Sequence, residues 1–129
     1  MPAMTMLHEV EPSKELFDRV GDLSNIEIFN NQVLCAIYIR PTKTKSGIII
    51  TDQTRAEDKF QGKVGLVLKK GTRAFRDDGE WFEGVVVEPG DWVFFRVSDG
   101  WPININGVEC RLLDDTIVRG KVDHPDRVW

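Results

Sequence analysis

From Ile26 onward, short apolar runs are cut at close intervals by turn-forming residues, and this spacing limits what the chain can fold into. Ile26-Glu27-Ile28 alternates, and Val33 to Ile39 (VLCAIYI) is a strongly apolar run broken at Pro41. A second run, Lys63 to Lys69, lies between Gly62 and Gly71. Asp78-Gly79 marks a tight turn between Arg73-Ala74-Phe75 and Trp81-Phe82, which predicts a hairpin. Glu88-Pro89-Gly90-Asp91 is a further turn that launches Trp92 to Val97, and Ser98-Asp99-Gly100 turns again. Ile103 and Ile105 lead into Asn106-Gly107, a strong hairpin signal, and Val108 to Leu113 returns. Asp114-Asp115 then starts or caps a last element, Thr116 to Val122. Many short strands with frequent glycine turns predict an all-β domain, a small sandwich or barrel.

The first 24 residues follow a different pattern. Ser13 is placed to cap a short helix from Lys14 to Val20, with Leu16, Phe17 and Val20 on one face and Gly21 at its end. So short a helix cannot stand alone and must dock on the domain. The chain therefore divides into an N-terminal extension (residues 1–24), a β domain (25–122) and a tail (123–129) that is polar apart from its end. With 129 residues, 41% hydrophobic and 29% charged, it has apolar material for one core. Trp92-Val93-Phe94-Phe95 is apolar on both faces, so one side is expected to meet a neighbouring subunit or the N-terminal helix.

Charge and motif content narrow the function. The net charge is −4 with both signs interspersed, which argues against nucleic acid as a partner. No apolar run is long enough to span a bilayer, and the start lacks the layout of a signal peptide, so a cytoplasmic location and no membrane partner are expected. Cys35 and Cys110 then read as reduced thiols, Cys35 as a buried structural one. His8 and His124 sit near opposite ends, without a Cys or His at metal-ligand spacing, so neither metal nor cofactor is expected. No GxSxG, HExxH or phosphate-binding loop is present. Asp77, Asp78, Glu80 and Glu83 read as a solvated hairpin tip. Trp81, Trp92 and Trp101 lack the interleaved basic residues of a base-stacking platform and read as core or subunit contacts. The chain reads as a binding protein rather than an enzyme.

Its most distinctive segment is Pro41 to Gln61, long for a loop in a compact domain and polar except for Ile48-Ile49-Ile50, which Gly47 precedes. One reading is a short locally packed strand. The other is a hydrophobic anchor on an arm that orders when it enters a groove.

The stretch TKSGIIITDQTRAEDKFQGKVGLVLKKG, Thr44 to Gly71, resembles the mobile loop and following strand of the GroES-type co-chaperonins. The resemblance continues through VEPGDWVFF, Val87 to Phe95, and INGVECRLLDDTIVRGKV, Ile105 to Val122. It implies a small irregular β-barrel with a roof hairpin, at Arg73 to Val85 here, built into a homo-oligomeric ring of seven. It also implies a partner, an ATP-bound GroEL-type chaperonin whose cavity the ring caps to assist protein folding. Gly47 would supply the bend, and Ile48, Ile49 and Ile50 would dock in apical grooves. The chain departs from the family pattern at Asn31-Gln32-Val33, where Asp-Arg-Val is usual, in having one glycine before the triplet, and in both extensions. Compact members extended in this way are similar to phage-encoded co-chaperonins, which would act in a host cytoplasm. A virion or capsid-associated assembly protein of the same fold is the alternative. The related domain of zinc alcohol dehydrogenases is disfavoured, because its Cys and His ligands and a nucleotide-binding half are missing.

Overall fold

The computed structural model describes residues 8, 10–40, 49, 63–76, 79–96 and 98–128. At its centre is strand β1, Gln32–Ile37, in which every residue after Gln32 is buried. A continuous apolar run of this kind suits a strand covered on both faces. β1 pairs antiparallel with β2 (Val64–Lys70) on one side and β5 (Val108–Asp114) on the other. β3 (Trp92–Phe94) adds to β2, and β6 (Gly120–Val122) adds to β3. β4 (Trp101–Ile105) adds to β5, giving a six-stranded antiparallel sheet in the order β4-β5-β1-β2-β3-β6. Pro102 lies in β4, an edge strand, where a residue without an N–H is tolerated. The all-β reading of the sequence holds. No described helix is long and apolar enough to cross a membrane.

Alternation along the strands sorts the core into two clusters. One holds Leu34, Ala36, Tyr38, Leu66, Trp92 and Cys110, together with Leu16 and Val20 of helix α1 (Pro12–Val20). The other holds Val33, Cys35, Ile37, Val67, Val93 and Phe95, together with Ala74, Phe75 and Val87 from the segment before β3. This accounts for the two-faced run Trp92 to Phe95. Trp92 points to the cluster that contains the helix, and Val93 and Phe95 point to the other, so both faces find cover within one chain. The pattern by itself therefore gives no argument for a subunit contact.

Helix α1 begins at Pro12 rather than after Ser13. Proline presets the first helical φ and has no N–H to leave unsatisfied, so it starts the helix without a side-chain cap; Glu11, the residue before it, makes none. Gly21 ends the helix as expected, at φ +76°, with its N–H on Phe17 O at 3.1 Å. Burying Leu16 and Val20 is worth about 1.5–3 kcal/mol each, which docks a helix too short to persist in water. Two side chains tie its exit down. Asn106 Nδ2 donates to Val20 O at 2.6 Å, and Lys69 Nζ donates to Leu23 O at 2.7 Å and Ile26 O at 2.5 Å.

The turns follow their residues. Asn106 and Gly107 take φ values of +51° and +83°, a two-residue hairpin turn matched to strand twist. At Glu88–Asp91, Gly90 adopts φ +98°, and the turn closes through Asp91 N on Glu88 O and Glu88 N on Asp91 Oδ2, both 3.0 Å. Within residues 73–85 the described positions form successive turns rather than two paired strands, drawn together where Phe75 meets Phe82 edge-on at 5.7 Å. Asp115 is buried and clamps three segments: it accepts from Asn31 Nδ2 at 3.0 Å and from Phe75 N at 3.1 Å, and it opens the 3-10 turn Asp115–Ile117. The expected last element, Thr116 to Val122, is thus a turn followed by the short β6.

Candidate functional site

The sheet fixes both ends of the segment 41–61. β1 and β2 are adjacent antiparallel strands, paired as far as Ile37 opposite Gly65, and Tyr38 N donates to Val64 O at 3.0 Å beyond that pair. The segment is therefore the connection of a hairpin whose stem is the most deeply buried strand pair among the described residues. Gly65 keeps that stem close, since a Cβ there would meet Cys35 Cβ at 3.0 Å. Of the expected docking residues, Gly47, Ile48 and Ile50 lie outside the described residues. Ile49 is described: it makes an isolated β-bridge and exposes 72% of its surface. Ile49 thus offers an apolar side chain to solvent.

The three tryptophans considered for a stacking platform differ in burial. Trp92 is core, whereas Trp81 and Trp101 are exposed. The cysteines sit on neighbouring strands but face opposite ways, Cys35 into one cluster and Cys110 into the other. Both are free and buried, as the sequence suggested for Cys35. Burial pushes both thiols up, Cys110 to about 12, which makes them poor nucleophiles at neutral pH.

Sequence spacing missed one constellation. His8 and Asp126, 118 residues apart, meet with Nε2 and Oδ2 at 3.0 Å. The His124 ring lies edge-on to the His8 ring at 5.5 Å, with its Nδ1 3.9 Å from the same Asp126 oxygen. The buried Tyr38 stands beneath them: its hydroxyl donates to Asp126 Oδ1 and lies 3.2 Å from His8 Nε2. His124 Nδ1 accepts from Asp126 N at 3.2 Å, capping the 3-10 turn Pro125–Arg127 in the tail. No local periodicity announces such a contact. The only signal is compositional, in that the two histidines of the chain fall in its two extensions.

Comparison with protein families gives one match. The family model described as the chaperonin 10 kDa subunit, Cpn10, matches residues 25–122. Curated proteins gave no match. His8, His124 and Asp126 lie outside the matched stretch, while Tyr38 and Ile49 lie within it.

Proposed function

The chain belongs to the chaperonin 10 kDa subunit family, a family of co-chaperonins, and from that premise we propose that it caps a GroEL-type chaperonin and assists ATP-dependent protein folding. The observation that carries the reading is the family match across the whole β domain, with residues 41–61 and their hairpin stem inside it. In this reading the segment is a mobile arm. Ile48, Ile49 and Ile50 enter an apolar groove of the chaperonin, and Gly47 supplies the bend before them. The exposure of Ile49 suits a side chain held for a partner. The protein works without catalysis, as a homo-oligomeric ring of seven in the cytoplasm, a host cytoplasm if it is phage-encoded.

Ring assembly explains how weak arms suffice. Each arm loses chain entropy when it orders, which lowers its own affinity. Several arms on one ring raise the combined affinity by roughly 10²–10⁴. A small weakening per arm, multiplied around the ring, then allows release.

Ile49→Asp tests the docking role. The exposed position lets the variant fold, while the charge would be stranded in an apolar groove. The variant should lose capture by a GroEL-type chaperonin with ATP and keep its own assembly state. Undiminished capture would remove the triplet from the mechanism.

A further inference from the structure

The two extensions converge on a set of side chains with the chemistry of a metal site. We propose that His8, His124 and Asp126 bind a divalent transition-metal ion of the zinc class, with Tyr38 as the positioning residue. The proposal is independent of chaperonin binding.

The donor set is the first argument. Two imidazoles and one carboxylate suit zinc and its neighbours, whereas calcium and magnesium take oxygen ligands. One donor atom from each of the three residues can be chosen so that all lie within 4.8 Å of one another. Ligands held about 2.0–2.1 Å from a tetrahedral ion stand roughly 3.3–3.4 Å apart. The observed separations from Asp126 Oδ2, 3.0 Å to His8 Nε2 and 3.9 Å to His124 Nδ1, bracket that value.

Support from outside the donor set is the second argument. Metal-bound carboxylates are held by hydrogen bonds accepted at their other oxygen. Tyr38 supplies this bond to Asp126 Oδ1, which leaves Oδ2 turned towards both histidines. The site is also sheltered: the side chains of His8 and Asp126 are 14% and 7% exposed, and that of His124 is 33% exposed.

Binding exchanges existing bonds rather than building on nothing. The ion would take the place of the hydrogen bond between His8 Nε2 and Asp126 Oδ2, with His8 bound as the neutral ring protonated on Nδ1 and any proton displaced from the pair passing to solvent. His124 turns off the Asp126 N–H, which it now accepts at 3.2 Å, to direct a lone pair to the ion. The result joins the N-terminal segment to the tail across Tyr38, at the end of the β1–β2 stem that adjoins residues 41–61.

Cobalt(II) titration of the chelator-treated full chain tests this. The expected result is one ion per chain, with visible bands of a four- or five-coordinate site, no thiolate charge-transfer band, and displacement by zinc. His8→Ala and His124→Ala should each weaken binding at least about tenfold with unchanged circular dichroism, and Tyr38→Phe should weaken it roughly 10–100-fold. Zinc should raise the Tm of the wild type and leave that of His124→Ala unmoved. A wild-type chain that gives no such bands, or bands that persist unchanged in both histidine variants, overturns the proposal.

Discussion

The hydroxyl of Tyr38, one residue past the central strand, donates to the carboxylate of Asp126 in the tail. One bond thus ties the C-terminal segment to the β1–β2 hairpin at the end of its stem that adjoins residues 41–61. Tyr38 is buried and the Asp126 side chain is 7% exposed, so removing the donor leaves a largely desolvated carboxylate oxygen with one bond fewer. With chelator present, Tyr38→Phe should cost about 1–3 kcal/mol in urea unfolding. Amide exchange should quicken first in residues 123–128.

Helix α1 should prove part of the core rather than an appendage. Leu16 and Val20 share a cluster with Leu34, Leu66 and Trp92. Leu16→Ala should destabilise the chain by about 2–3 kcal/mol, towards the lower end for such truncations because Leu16 sits at the edge of the cluster at 9% exposure. A loss under about 0.5 kcal/mol would mean that the sheet face is covered by something else.

The buried thiols make a prediction about alkaline stability. Both are raised from an ordinary value of 9.0, Cys110 to about 12, by burial first. The folded chain therefore holds thiol protons that the unfolded chain releases. Below about pH 8.5 both states are protonated and the thiols add no pH dependence. Above it stability falls, by up to about 1.4 kcal/mol per pH unit and thiol, until the folded thiols ionise. Cys110→Ala should flatten this slope between about pH 9 and the folded value of about 12. At pH 8, a thiol-reactive disulfide reagent should label neither cysteine until the protein unfolds.

Much of the sheet is legible in the sequence because its signals are local. Val33 to Ile39 announces β1, Asn106-Gly107 fixes the β4–β5 turn, and Gly90 marks the entry to β3. Helix α1 is legible from Leu16 and Val20, but its start is not, because Pro12 competes with Ser13 for that role and wins by its fixed φ. The segment 73–85 misleads because Asp78-Gly79 promises a tight turn, whereas the chain around it turns repeatedly and rests on Phe75 and Asp115. The triplet proposed to dock, Ile48-Ile49-Ile50, is visible in the sequence as an apolar island in a polar stretch. The cluster at Tyr38 is hinted at only by the placement of the two histidines in the two extensions, since no periodicity or motif spacing encodes the meeting of those segments.

The central claim is that this chain is a co-chaperonin acting through a ring. Native mass spectrometry of the protein, alone and with a GroEL-type chaperonin plus ATP, addresses it most directly. The account predicts a closed homo-oligomer alone, seven copies being expected, and one such ring added to the chaperonin when nucleotide is present. A chain that stays monomeric at micromolar concentration, or a ring that never joins the chaperonin with ATP, would contradict it.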